Sequence, residues 1–296
     1  MLRAERLCAA WESALLAGAT EGSIHSVFDR AVNINTAGGM VSLLPAEKGL
    51  YPWSCTVQIS APFSALGLKP GMRAAISRAA MRVDEAGFAV DFSTARPTNL
   101  DIWQLALTQL PTQERLSALK ALLFAQGSTE GMRSLAVGGA DNPFSAMIRP
   151  RLCALHAAFL SGEPQQAGPA AAAIAGCGPG LTPSSDDMLL GYVCAFYALA
   201  RQAGQAREAA LAMGRAACRA AAAKTNAISG AFLLQCGEGL ASQNMLDLFN
   251  ALFSDALGER LEAPAGRILS IGAASGADIL TGVVLSLQTL QTHGTR

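Results

Sequence analysis

Gly176-Cys177-Gly178-Pro179-Gly180-Leu181-Thr182-Pro183-Ser184-Ser185-Asp186-Asp187 leads straight into an apolar segment that runs from Met188 to Ala200. A glycine-rich turn feeding a buried helix is an arrangement that binds anions. Glycine lets the backbone approach a ligand, and the first-turn N–H groups of the helix have no partner within it. Pro183 suits the start of a helix, and Ser184 with Asp187 has capping-box spacing. A well-capped helix after a tight loop would read the same way. Two adjacent carboxylates are more than capping needs, and that surplus directs the reading toward a site.

The segment recurs in outline. Ser184 to Gly191 and Ser275 to Gly282 both read Ser-x-x-Asp-x-Leu-x-Gly, and both enter an apolar helix. Each follows glycine, Gly176, Gly178 and Gly180 in one case and Gly272 in the other. The glycine four residues after each Asp lies one turn on along the same face, where a missing side chain lets two helices cross closely. The echo predicts two helix starts side by side, sharing one pocket whose positive dipole ends suit phosphate or carboxylate. Chance reuse of a good capping sequence is the alternative.

A third polar segment, Lys224 to Gly230, opens another apolar helix. Thr225 and Ser229 share a face, and Lys224 offers a positive charge for an anion, or is a solvated surface lysine. Asp186 and Asp187 have three readings. They hold Mg²⁺ against a phosphate, or one is a general base toward nitrogen, or one caps while the other faces water. Cys177 reads as a small filler in the turn, although a helix N-terminus lowers a thiol's pKa.

The bulk properties bound the rest. The 296 residues are 51% hydrophobic and 15% charged, ample for a sizeable core. Twenty-two basic residues balance twenty-two acidic ones, which argues against a nucleic-acid or polybasic membrane surface. No apolar run is long enough to span a bilayer, and the N-terminal residues lack a signal peptide's apolar core. Seven scattered cysteines without a C-x-x-C pair predict reduced thiols and a cytoplasmic protein. With three histidines, a Ser-His-Asp triad would have to use His25 or His156, and a histidine-rich metal site is excluded.

Along the chain, residues 3–18 read as an amphipathic helix. Short alternating runs then follow at 27–34, 40–44, 55–59, 74–77, 81–84 and 88–92, broken by Gly and Pro, with Arg96 to Asn99 as the exit. Helical patterns fall at 103–109, 114–126, 149–161, 164–175, 186–201, 204–222, 226–241, 244–257 and 276–291. The predicted fold class is α+β. A β-rich domain with barrel-like closure (1–98) precedes connecting helices and loops (99–148) and a helical domain carrying the glycine motif (149–296).

These blocks resemble the AllH/YlbF family. Residues 176–187 are similar to its G-x-G-P-G-L-T-P-S-x-D-D signature. Lys224 to Ser229, through Gly237 to Gly239, resembles its Thr-x-x-x-Ser helix, and Ser270 to Asp278, through Gly282, its G-H-x-S-G-x-D segment. Arg30 to Asn33 matches its R-A-[VI]-N stretch. The chain departs from the pattern at Ala273, where the family has histidine, and at Lys224, where it has the first Thr of a pair.

The resemblance implies a subunit of an oxamate carbamoyltransferase in allantoin breakdown, interconverting oxalurate plus phosphate with oxamate plus carbamoyl phosphate. FdrA/AllF-like and AllG-like subunits are the implied partners, and one of these small anions the ligand. Asp186, Asp187 and Asp278 are then the candidate catalytic residues. Gly178, Gly180, Leu181, Thr182, Ser184, Ser185, Lys224, Thr225, Ser229, Ser275 and Gly276 are the candidate substrate contacts. Mg²⁺ at Asp186 and Asp187 is the one cofactor considered. The alternatives are a non-catalytic anion-binding or assembly subunit, and a stand-alone Mg²⁺-dependent phosphotransfer enzyme.

Overall fold

The computed structural model describes residues 1–254 and 261–293, the last three without their side chains. The chain divides into two compact units, Met1–Leu100 and Asp101–Arg296.

The first unit contains β1 (Leu2–Cys8), α1 (Ala9–Ala17), β2 (Thr20–Phe28), β3 (Ala31–Thr36), β4 (Gly39–Pro45), β5 (Ser54–Val57), β6 (Arg73–Ile76), β7 (Ala80–Val83), β8 (Phe88–Asp91) and β9 (Arg96–Thr98). The strands pair in the order β5-β4-β3-β2-β6-β7-β8-β1, and β1 pairs back onto β5. Eight strands therefore close a ring, and β9 adds alongside the second half of β1. Closure removes the unpaired strand edges that invite aggregation, and eight strands leave an interior that side chains can fill. Leu7, Ile34, Leu43, Val57, Val83 and Val90 are all buried. Buried Asn33 is satisfied on both sides, accepting from the Ser42 hydroxyl at 2.8 Å and donating to Ser26 at 3.1 Å.

The second unit is helical, with α2 (Gln113–Gln126), α3 (Ser134–Val137), α4 (Pro143–Ile148), α5 (Leu152–Ser161), α6 (Pro164–Ala172), α7 (Ser184–Gln202), α8 (Arg207–Ala222), α9 (Ala227–Gly237), α10 (Gln243–Leu252), α11 (Glu262–Leu269) and α12 (Ser275–His293). The fold is thus α+β, a barrel-like sheet followed by helices. At the centre runs α7, buried along nearly its whole length. Small residues set its spacing. A Cβ on Gly191 would stand 2.0 Å from the Ile279 carbonyl oxygen of α12, and one on Gly282 would stand 1.8 Å from that of Met188. The two echoed glycines are therefore the contact at which α7 and α12 cross. On another face, α8 has glycine at 214 where the Tyr197 hydroxyl lies, and that hydroxyl donates to the Gly237 carbonyl at 2.9 Å. Among the described residues no helix is long and apolar enough to cross a membrane.

Several local expectations are corrected. Residues 3–18 are not one helix but β1 followed by α1. Residues 27–34 are not one strand, because β2 and β3 form a hairpin with Phe28 opposite Ala31. The predicted helix at 103–109 is a single tight turn, Ile102–Gln104, capped by the Asp101 carboxylate accepting from the Trp103 N–H. Beyond it the Thr108 and Gln109 N–H groups donate to the Phe253 carbonyl at 3.2 and 3.1 Å instead of continuing a helix. Arg96 to Thr98, read as an exit, forms β9, and α11 was not foreseen. Positions 255–257 of the helix expected at 244–257 lie outside the described residues.

Candidate functional site

The loop from Gly176 to Pro183 takes its shape from glycine. Gly176, Gly178 and Gly180 have φ of +76°, +111° and +107°, a region that disfavours side chains. The loop folds back on the helix it introduces. The Gly176 N–H donates to Asp186 Oδ1 at 2.7 Å, and the Cys177 N–H donates to Ser185 Oγ at 2.9 Å.

Asp186 is a junction. Besides Gly176, it accepts from the Thr225 hydroxyl and, at 2.7 Å, from the Ser229 hydroxyl. The third polar segment thus reaches the glycine loop through this carboxylate. Asn226 completes the joint, capping α9 by accepting from the Ile228 and Ser229 N–H groups at 3.0 Å, and donating to the Leu181 carbonyl at 2.8 Å. Sequence reading missed Asn226. Its position directly before an apolar helix is an N-cap signal that could have found it.

The two echoed helix starts do lie together. The Thr182 and Ser275 hydroxyls are 3.3 Å apart, and Thr182 also donates to Asp187 Oδ2 at 2.7 Å. Thr182 and Ser275 are half-buried, whereas Asp187 is 6% exposed and Asp278 is fully buried. Asp278 Oδ1 accepts from the Met132 N–H at 2.5 Å. That contact is open because residue 131 is glycine, whose Cβ would stand 2.0 Å from the same oxygen. Gly131 and Met132 carry no sequence signal that ties them to the site.

Burial dominates the acidity of this pair. It pushes Asp187 up to about 8, with the charges of Asp278 and Asp186 adding to the rise and the Thr182 and Ser275 hydroxyls opposing it. Burial likewise pushes Asp278 up to about 7, against the Met132 N–H and the nearby Ser184 hydroxyl. Ser184 Oγ and Asp278 Oδ2 are buried without a partner in hydrogen-bond geometry. With both carboxyls held well above the usual range, an anion near neutral pH meets less negative charge here than the formula of the motif suggests.

Two expectations change. Ser184 and Asp187 do not form a capping box, since α7 has no side-chain cap. Several first-turn amides are already engaged. The Ser185 N–H donates to the Cys177 carbonyl at 2.9 Å, those of Asp186 and Asp187 to Pro183 at 2.9 and 3.2 Å, and that of Gly276 to Ile271 at 3.0 Å. What these helix starts add for a ligand is hydroxyls and carboxyls. Gly276 packs instead, since a Cβ there would stand 2.0 Å from the Ile268 carbonyl oxygen. Gly180, Leu181 and Lys224 are exposed, and Gly178 is half-buried with its missing Cβ directed at Ser184. Burial raises the Cys177 thiol despite Arg151 nearby, which suits a filler. His156 bonds Tyr192 at 3.1 Å and His25 bonds Ser26 at 3.1 Å, and neither joins a Ser-His-Asp triad. Among the described residues no group of three or more His, Cys, Asp or Glu is arranged to hold a metal ion.

Two family models match the chain. Residues 174–287 match the model described as oxamate carbamoyltransferase subunit AllH, and residues 3–97 match the AllH family N-terminal domain. The first match spans the glycine loop, the α9 start and the α12 start; the second spans nearly all of the barrel unit. No curated protein and no solved structure matches the chain.

Proposed function

Because this chain belongs to the AllH family of oxamate carbamoyltransferase subunits, we propose that it binds a small anionic substrate where α7 and α12 begin, within a complex that interconverts oxalurate plus phosphate with oxamate plus carbamoyl phosphate. The observation that carries the reading is the Thr182–Ser275 contact, which sets two hydroxyls at 3.3 Å over a buried pair of carboxyls. With Asp187 protonated, its carboxyl no longer needs the Thr182 and Ser275 protons, and both hydroxyls turn to donate to the substrate's carboxylate or phosphate oxygens. The two helix dipoles favour negative charge at the same place.

In the phosphorolytic direction a phosphate oxygen attacks the carbamoyl carbon of oxalurate, and the bond from that carbon to the oxamate nitrogen breaks. The leaving nitrogen needs a proton. Asp187, held protonated up to about 8, supplies it, and the attacking phosphate returns one to the carboxylate. In reverse the same carboxylate takes the proton from the oxamate nitrogen. A group poised near the working pH suits both directions. Asp186 is a positioning residue in this account, since its carboxylate is engaged by Gly176, Thr225 and Ser229.

That donor set argues against Mg²⁺ as a resident ion. Asp186 already accepts from three donors, whereas Mg²⁺ wants free carboxylate oxygens. A second reading, a non-catalytic anion-binding subunit with the chemistry in FdrA/AllF-like or AllG-like partners, is favoured by Ala273, which stands where the family pattern has histidine.

Phosphorolysis of oxalurate by the reconstituted complex tests the proposal. Carbamoyl phosphate formation should fall about a hundredfold or more when this subunit carries Asp187→Asn, the range for loss of a general acid. Equal turnover with wild type and variant would assign the chemistry to a partner.

A further inference from the structure

A different cluster lies on the barrel unit. A cavity of about 610 Å³ opens there, lined by Arg3, Arg6, Arg96, Gln58, Thr94 and Glu5 among others. Its volume is in the range of small-molecule sites. Three arginines face one acid, in a chain whose charges balance overall. Glu5 is engaged by the Gln58 side-chain amide.

Strand register explains how the arginines meet. In β1, Ala4 pairs with Val57 of β5 and Arg6 with Thr56, so the strand carries one extra residue between those pairs. Plain alternation from buried Ala4 would turn Arg6 inward and Leu7 outward. The extra residue reverses this, so that Leu7 is fully buried and both Arg3 and Arg6 are exposed. Bulges of this kind re-aim side chains and are over-represented beside active sites. On the far side of β1, Arg6 lies directly opposite Arg96 of β9. Like charges directly opposed across strands are unfavourable. Arg3 has a counter-charge in Asp91, its register partner on β8. Among the described residues Arg6 and Arg96 form no ion pair.

We propose that this cavity is a binding site for a compact polyanion, a small molecule bearing a phosphate, diphosphate or several carboxylates, held in the fork between Arg6 and Arg96. Guanidinium groups grip such oxygens with paired N–H donors, and Thr94 and Gln58 add neutral ones. The lining includes no aromatic ring, so a nucleobase would find nothing to stack on. The cavity shares no residue with the glycine loop, and the proposal does not depend on the reading given to that loop.

Titration calorimetry of the whole chain with inorganic pyrophosphate and with citrate at low salt tests the assignment. Binding should weaken about tenfold or more in Arg6→Gln/Arg96→Gln, as expected for losing charge-assisted bonds. The thermal midpoint of that variant should stay near that of wild type, because both side chains are exposed. Arg73→Gln, which removes an exposed arginine of the same unit outside this cavity, should bind both probes as wild type does. The proposal is overturned if neither probe binds wild type, or if the double variant binds them equally well. Loss of binding in Asp187→Asn but not in the double variant would also overturn it, and would move the anion to the glycine loop.

Discussion

The Thr182 hydroxyl lies 3.3 Å from that of Ser275, ninety-three residues further along the chain. The contact exists because Gly191 and Gly282, in the second turns of α7 and α12, allow the helices to cross backbone against backbone. Helix spacing and site assembly therefore have one origin.

Gly282→Ala should be severely destabilising. Its Cβ would stand 1.8 Å from the Met188 carbonyl oxygen and 2.7 Å from the Tyr192 nitrogen, so the helices must separate. Overpacking costs about 1–3 kcal/mol or more, measured by urea denaturation. Gly266→Ala in α11, where a Cβ meets nothing within 4 Å, should instead gain up to about 1 kcal/mol. Equal behaviour of the two variants would contradict the crossing.

Stability should fall as pH rises toward 8. Asp187 and Asp278 hold protons up to about 8 and about 7 when folded, against about 3.9 for an unfolded Asp. Between those limits the folded state binds more protons, so unfolding releases them. The slope approaches about 1.4 kcal/mol per pH unit for each carboxyl fully engaged, and is absent below the unfolded value. Asp187→Asn should flatten the profile, read as denaturation midpoints from about pH 5 to about pH 8. A flat wild-type profile would mean that the pair is ionised when folded.

Asp186 and Asp187 should part company on mutation. Asp186→Ala strands the buried Ser229 hydroxyl, an orphan that costs about 1–3 kcal/mol, and also frees the half-buried Thr225 hydroxyl and the Gly176 N–H. Loss of activity there should accompany loss of stability. Asp187→Asn keeps the shape and, freed of the cost of holding a proton, should be at least as stable as wild type at neutral pH while losing activity. Circular dichroism melts beside turnover assays separate the two effects.

Asn226→Ala should cost about 1–2 kcal/mol as a lost cap. It should also free the loop, because its amide holds the Leu181 carbonyl at 2.8 Å. Faster hydrogen exchange across the glycine loop, with little change in the barrel unit, is the expected signature.

Much of this was legible in the sequence, and the misses have physical causes. The Ser-x-x-Asp-x-Leu-x-Gly echo foretold both the adjacency and the close crossing, because a glycine at the same offset from each helix start marks where a second backbone can come near. The barrel was legible from its short alternating runs. β1 was not. Buried Ala4, Leu7, Cys8, Trp11 and Leu15 recur at the three- and four-residue spacing of a helix. The bulge between Ala4 and Arg6 stretches one strand period from two to three, and a true helix then continues the pattern. That the Ser185, Asp186 and Asp187 amides are engaged was not legible, because the carbonyls of Cys177 and Pro183 return to them, a local detail that no residue pattern carries. Asp278's dependence on the Met132 N–H is likewise a contact over 146 residues.

The central claim is that the Thr182–Ser275 pair holds the substrate's anionic group, and calorimetric titration of oxamate and of inorganic phosphate into wild type and Thr182→Val/Ser275→Ala tests it most directly. The account predicts that the double variant melts within a few degrees of wild type and binds about tenfold more weakly or not at all, each lost donor to a charged group being worth about 1.5 kcal/mol or more. Unchanged affinity for both probes in a folded double variant would contradict it.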